Sequence, residues 1–311
     1  MLEKFYYIVI MKKVSVILTT YNSEDCIQRT ISSIFKQKGI NKKFTIELLV
    51  IDDCSTDNTT KILKTNNISF LKTQKNSGGP NKGRNIGLQA ATGDYICITD
   101  HDDEWKEHRI MTLLIYLEKA PIVTSGFTVI NTKYNTSQDR LNKGDEFIFH
   151  ESNKLFFKRL TRTLKGSNFY LGSVIFHKKL KNILFEEHFG MLDFDWGLRL
   201  LHNNSSVEVL ESLFNRYVDG TNLSFNESYR RINYYYSLMY IENYKILYPK
   251  EVEIAYKRIN GNRARYHYVM NDMGNARFYF LKSGFNWKVI LYYFTTFGGS
   301  EFVKKKFNVF G

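Results

Sequence analysis

Three short apolar runs, each ending in a cluster of polar residues, constrain this chain more than any other feature. Residues 14–19 alternate, are rich in β-branched side chains, and run into Thr20-Tyr21-Asn22-Ser23. Residues 46–51 are almost wholly apolar and run into Asp52-Asp53-Cys54-Ser55-Thr56-Asp57-Asn58. Residues 95–98 run into Thr99-Asp100-His101-Asp102-Asp103-Glu104-Trp105. Such runs read as buried strands. Between the first two, Ile27, Ile31, Ile34 and Phe35 recur at helical spacing. A second helix is expected over 59–64 and a short strand over 68–71. Strand and helix alternating through short loops predict an α/β fold, a mostly parallel sheet covered by helices on both faces. Ligands bind such sheets beyond the carboxyl ends of the strands, where all three polar clusters fall.

The third cluster carries the sharpest chemistry. Three carboxylates crowded at a strand end repel one another unless a cation sits among them. A hard divalent ion takes oxygen ligands and shares its remaining positions between water and phosphate. An Asp-x-Asp there suits an ion held against a nucleoside diphosphate. The alternative is an acidic turn capping a helix that begins near Trp105. The glycine-rich stretch 76–87 opens another helix, and its amides, with Lys82 and Arg84, could meet a diphosphate. It has neither Walker nor dinucleotide spacing, so a plain flexible turn is the competing reading.

Composition narrows the partners. The 311 residues carry a formal net charge of +13, with 21 Tyr and 24 Phe. That balance suits nucleic acid, anionic lipid or phosphorylated substrates. Three cysteines without metal-like spacing fit a reduced, cytosolic protein. No apolar run reaches the roughly 18 residues of a spanning helix, and residues 5–11 are short for a signal peptide, with Met11 a second candidate start. Residues 132–166 give a weak signal, apart from Phe147, Phe149, Phe156 and Phe157, and are expected to be mobile and partly helical, with a lid as one option. Another strand is expected over 173–177 and an apolar helix over 198–201. From residue 226 onward 14 Lys and Arg stand against 6 Asp and Glu, with Tyr at helical spacing, which predicts a small helical module over 226–311. Within it, 287–297 followed by Lys304-Lys305-Lys306 is either an interfacial helix with a cationic flank or a packed appendage.

From residue 14 to 224 the chain resembles the family 2 glycosyltransferases, inverting nucleotide-sugar transferases of the GT-A fold. The segments that carry the resemblance are residues 14–22, 50–59, Asn76-Ser77-Gly78-Gly79-Pro80, residues 83–88 and 91–96, and Asp100-His101-Asp102-Asp103. They come in the family's order. The resemblance implies a glycosyltransferase domain over 1–225 with a Rossmann-like mixed sheet. It implies that Thr19, Tyr21 and Asp53 hold the base, with Asp53 accepting from a ring N–H, and that Asp100 lies near the ribose. Asp102, with Asp100, would bind Mn²⁺ or Mg²⁺. Arg84 would serve either the nucleotide or a salt bridge holding the metal loop. Residues 192–200 resemble the segment carrying the catalytic base, which falls on Asp193, with Asp195 in reserve. Leu192 stands where the family usually has Glu. Tyr217 and Asp219 stand where Arg and His are frequent, which puts phosphate contacts from that loop in question.

The expected function is therefore transfer of a sugar, from a UDP-sugar by preference, to a glycan or lipid-linked acceptor in bacterial surface-polysaccharide synthesis. The expected location is the cytoplasm, with contact at the inner face of an anionic membrane as an option, and no nucleic-acid partner is expected. A nucleotidyltransferase would need a basic, glycine-rich signature directly after the first strand, which Thr20-Tyr21-Asn22-Ser23 lacks. A nucleic-acid-binding module fits acidic strand ends poorly, and an inactive transferase-like partner is the remaining alternative.

Overall fold

The computed structural model describes residues 11–163, 169–188, 192–218, 226–299 and 301. Two compact units emerge, Met1–Phe156 with Leu164–Asn222, and Phe157–Thr163 with Leu223–Gly311. In chain order the elements are β1 (Lys12–Thr20), α1 (Ile27–Phe35), β2 (Phe44–Asp52), α2 (Thr59–Thr65), β3 (Phe70–Lys72), α3 (Asn81–Ala90), β4 (Tyr95–Asp100) and β5 (Glu104–Trp105). Then come α4 (Arg109–Tyr116), β6 (Ile122–Asn131), β7 (Thr136–Arg140), β8 (Phe147–His150), α5 (Lys154–Leu160), β9 (Ile175–His177), α6 (Phe194–Leu201) and β10 (Ser206–Val218). The second unit is helical, with α7 (Glu227–Glu242), α8 (Pro249–Val269), α9 (Met273–Lys282) and α10 (Trp287–Thr295).

The first unit is built on one sheet, ten-stranded among the described residues, in the order β3-β2-β1-β4-β9-β6-β10-β5, with β7 on β6 and β8 on β10. β3, β2, β1 and β4 are mutually parallel, and β9 runs antiparallel between β4 and β6. β1 explains the layering. Val14, Val16 and Leu18 join the core cluster that includes Ile27, Ile31 and Ile34 of α1. Its alternate residues face α3, which must approach closely. A Cβ on Gly83 would come within 2.9 Å of Thr19 Cγ2, and one on Gly87 would overlap Ile17 Cγ2. A strand buried on both faces is the expected centre of an α/β sheet.

Four local expectations change or gain detail. Residues 132–163 are partly helical, as expected, in α5, but they also hold strands that were not expected: β6 turns back into β7, and β8 pairs with β10. Backbone pairing at a sheet edge tolerates polar side chains, so the exposed Thr136–Arg140 strand carries no apolar alternation to announce it. The helix expected near Trp105 begins at Arg109, because Glu104 and Trp105 pair with Asn215 and Phe214 of β10. Phe35 ends α1 at 44% exposure and is no part of its buried face. The strand expected over 173–177 is shortened by a 3-10 turn at Leu171–Ser173.

Candidate active site

Register brings the polar strand ends together. Thr19 of β1 pairs with Ile51 on one side and Asp100 on the other, and Thr20 pairs with Asp52. The carboxyl ends of β1, β2 and β4 therefore stand side by side. Thr19 is buried there and Tyr21 is exposed.

Asp53 follows β2 and is largely buried. Its carboxylate accepts from Thr73 Oγ1 (2.7 Å), Ser77 Oγ (2.9 Å) and the Ser77 amide (3.0 Å to Oδ2). Asp53 thus ties the 76–79 loop to the strand end. The glycines of that stretch divide their labour. Gly78 adopts φ +78°, which glycine tolerates, whereas Gly83 and Gly87 lie inside α3 and permit its close seat on the sheet.

The acidic loop after β4 is cradled by α1. Thr30 Oγ1 donates to the carbonyls of His101 (2.6 Å) and Asp103 (2.7 Å), and Arg29 Nη2 donates to the carbonyl of Asp102 (3.0 Å). Ser33 Oγ accepts from the Trp105 amide (3.0 Å). Asp100 is salt-bridged to Arg84 of α3 at 2.8 Å, and the Tyr170 hydroxyl lies 3.4 Å from its other oxygen. Burial pushes the Asp100 carboxyl up, but the charges of Arg84 and His101 hold it below the ordinary range. Asp102 moves the opposite way, raised by burial and by the negative charge of Asp100. Asp103 is fully buried and raised well above the usual range, by burial and then by Asp100 and Asp102. Neither of its carboxylate oxygens has a hydrogen-bond partner. Arg216 and Arg109 offset part of this charge.

This arrangement fits a divalent cation. The fully buried Asp103 oxygens without a hydrogen-bond partner, and the repulsion that Asp100 exerts on Asp102 and Asp103, are what an added cation would relieve. Among the described residues, no group of three His, Cys, Asp or Glu side chains forms a cage of its own. An ion here would complete its shell with phosphate and water oxygens, the usual habit of Mg²⁺.

Asp193 sits half-buried at the N-cap position of α6, and its side chain does not cap that helix. α3 anchors the segment that carries it. Asn81 Nδ2 donates to the carbonyls of Glu186 (2.8 Å) and Leu192 (2.9 Å). Asn85 Nδ2 donates to the Phe185 carbonyl (2.9 Å) and Glu187 Oε1 (2.7 Å), and the Phe185 amide donates to Asn85 Oδ1 (2.7 Å). Arg84 Nη1 donates to Asn81 Oδ1 at 3.0 Å, so one helix holds both the acidic loop and the Asp193 segment. Asp195, the reserve candidate, is buried and ion-paired with Arg199 at 2.7 Å.

Most of the first unit falls within a match to a family description. "Glycosyl transferase family 2" aligns with residues 15–180, more than half of the chain. The chain belongs to glycosyl transferase family 2. It is 41% identical over 97 residues to the Staphylococcus aureus poly(ribitol-phosphate) beta-N-acetylglucosaminyltransferase TarS, covering 30% of this chain and 17% of TarS. To a Campylobacter jejuni GalNAc(5)-diNAcBac-PP-undecaprenol beta-1,3-glucosyltransferase it is 29% identical over 184 residues, 58% of this chain and 56% of that enzyme. The matches thus span well under two thirds of these relatives' lengths. Among solved structures, S. aureus TarS 1–349 in complex with UDP superposes with a TM-score of 0.64 at 18% identity, over 94% of this chain and 91% of that one. That likeness establishes the mixed α/β fold of the family.

Several residues of the site carry no sequence signal of their own. Arg216 is raised above the ordinary arginine range because, although burial opposes it, Tyr170, Asp103, Asp100 and Asp102 surround it. It lies beside Tyr217, whose hydroxyl donates to Glu104 Oε2 (2.7 Å) and whose ring sits 3.7 Å from the Arg29 guanidinium. Only the pairing of β10 with β5 and β6 brings these groups to the acidic loop. Asp219 lies outside the described residues.

Proposed function

We propose that this chain transfers a sugar with inversion from a nucleotide-sugar, of UDP type, to a glycan or lipid-linked acceptor in bacterial surface-polysaccharide synthesis. The observation that carries the reading is the juxtaposition of Thr19–Tyr21, Asp52–Asp53 and Asp100–Asp103 at three neighbouring strand ends. The UDP in the TarS structure and the acceptors in the relatives' names support the donor and the acceptor class.

In this reading Thr19, Tyr21 and Asp53 receive the base, with the Asp53 carboxylate oriented by Ser77 and Thr73. Asp102, with Asp100, would hold Mn²⁺ or Mg²⁺, which supplies positive charge against the departing diphosphate. Arg84 positions Asp100, and Arg216 adds a second cation beside the loop. Asp193 accepts the proton of the acceptor hydroxyl as its oxygen attacks the anomeric carbon from the face opposite the leaving group.

Peripheral contact with an anionic membrane fits α10, which exposes Trp287 (70%) and Phe294 (66%) along one face beside Lys288. Lys304–Lys306 lie outside the described residues. Among the described residues no helix is long and apolar enough to cross a membrane.

The test is a thermal-shift panel of UDP, GDP, CDP and ADP, each with Mn²⁺ or with EDTA. A ligand that binds only the folded protein raises Tm. A Mn²⁺-dependent shift with UDP, lost in Asp102→Ala, is the expected result. An equal UDP shift in EDTA, or in that variant, refutes the metal assignment. Absence of any nucleotide shift refutes the donor site.

A further inference from the structure

The second unit holds a cavity of about 130 Å³ whose lining includes Arg162, Arg230, Arg263, Asn233, Asn262 and Tyr266. A single water needs roughly 10–15 Å³ of such space, so the cavity admits a polyatomic ligand. The lining is made largely of donors. Arg263 is only 8% exposed, and its Nη2 donates to Glu227 Oε1 (2.9 Å), but its Nε and Nη1 are buried with no hydrogen-bond partner. Orphaned buried donors on a cation cost free energy that a bound anion would recover. Arg230 and Arg263 both lie over the Tyr266 ring, 5.0 and 5.2 Å from its centroid. The Asn233 carbonyl end accepts from Ser237 Oγ (3.2 Å) and that of Asn262 from Arg265, so each amide has its NH₂ end left to donate. Three guanidiniums line the cavity; Arg162 Nη2 donates to Ser237 Oγ and Arg263 Nη2 to Glu227, which leaves two buried Arg263 nitrogens as donors without a partner.

We propose that this cavity is a phosphate-binding site of the helical unit, one that takes a phosphomonoester or phosphodiester group. A tetrahedral oxyanion accepts from several donors at once and matches the planar fork of arginine, so guanidinium clusters are suited to it. The group could arrive free on a soluble sugar or polyol phosphate, or on a lipid headgroup. The chemistry is the same.

The test is calorimetric titration of the full chain with inorganic phosphate and with glycerol phosphate, against acetate at equal ionic strength. Arg230→Gln is the main variant because Arg230 is only half-buried, and its far-UV circular dichroism should match wild type. Arg263→Lys is the second variant, keeping the charge but not the fork. Saturable phosphate binding to wild type is expected, weakened about tenfold or more in Arg230→Gln, the loss of one charge-assisted hydrogen bond. Phosphate binding no tighter than acetate, or equally tight in a folded Arg230→Gln, overturns the proposal. Co-sedimentation with phosphatidylglycerol vesicles separates the sources. Vesicle binding that falls with the same substitution assigns the site to a headgroup. Vesicle binding that is unchanged, while soluble phosphate binding falls, assigns it to a soluble phosphorylated compound.

Discussion

Asn85→Ala probes how α3 holds the Asp193 segment. The Asn85 side chain is buried and makes three hydrogen bonds, two of them to the backbone of Phe185, itself buried. Truncation leaves the Phe185 N–H and C=O without partners. Each unsatisfied buried group costs about 1–3 kcal/mol, and relaxation toward water trims the sum, so about 3 kcal/mol is expected. For a unit of this size each kcal/mol moves Tm by about 2–4 °C, which gives a fall of about 6–12 °C. Gln89→Ala, on the exposed side of the same helix, is the control and should stay within about 0.5 kcal/mol. Thermal unfolding measures the stability, and hydrogen exchange at the Phe185 amide reads the local anchor directly. In the transfer assay kcat should fall while nucleotide binding holds, because the Asp53 and Asp102 loops do not touch Asn85. A Tm within 2 °C of wild type, with the Phe185 amide still protected, would show that these bonds do not hold the segment.

Three further outcomes are expected. Gly87→Ala should lower Tm despite the roughly 1 kcal/mol that Ala gains over Gly in a helix. Its Cβ meets Ile17 and lies 3.1 Å from Ile51 Cδ1, and overpacking costs about 1–3 kcal/mol; a stabilised variant would refute the close seat of α3. Glu47 is pushed up by burial, but hydrogen bonds from Lys13, Ser15 and Thr92 bring it down from 4.5 to about 2. A carboxyl depressed on folding stabilises the fold above its unfolded value, and that stabilisation fades as pH falls toward the folded one. Wild-type Tm should therefore drop between about pH 4.5 and 2 more steeply than that of Glu47→Gln; parallel curves would contradict it. Asp193→Asn should cut kcat by about 10²-fold or more with the UDP shift intact, and undiminished transfer would move the proton acceptor elsewhere.

Much of the candidate site at the strand ends was legible in the chain itself. A strand buried on both faces needs a continuous apolar run, and a site at its end needs an abrupt polar stop. Residues 14–22, 46–58 and 95–105 display both within single windows. The segment 132–166 was not legible, because an edge strand such as β7 is specified by the backbone it pairs with and not by its own side chains. The glycine-rich stretch was half-legible. Its composition announced a special backbone, but whether the glycines faced a ligand or a sheet depended on what lay beneath α3.

By itself, then, the sequence determined the layering, the order of the polar clusters along the chain, and the carboxylate-rich chemistry of the strand ends. Those properties are written in local periodicity and local chemistry. Only the tertiary structure decided that Arg84 bonds Asp100, that Asn81 and Asn85 hold the Asp193 segment, and that the Asp103 carboxyl oxygens lie buried without a hydrogen bond near Arg216. The same is true of Arg162, Arg230 and Arg263 sharing one cavity. These pairs stand from 16 to more than 100 positions apart, and no local pattern encodes which distant cation will neutralise which carboxylate. Packing decides it, because burying a charge is affordable only where the fold delivers its partner.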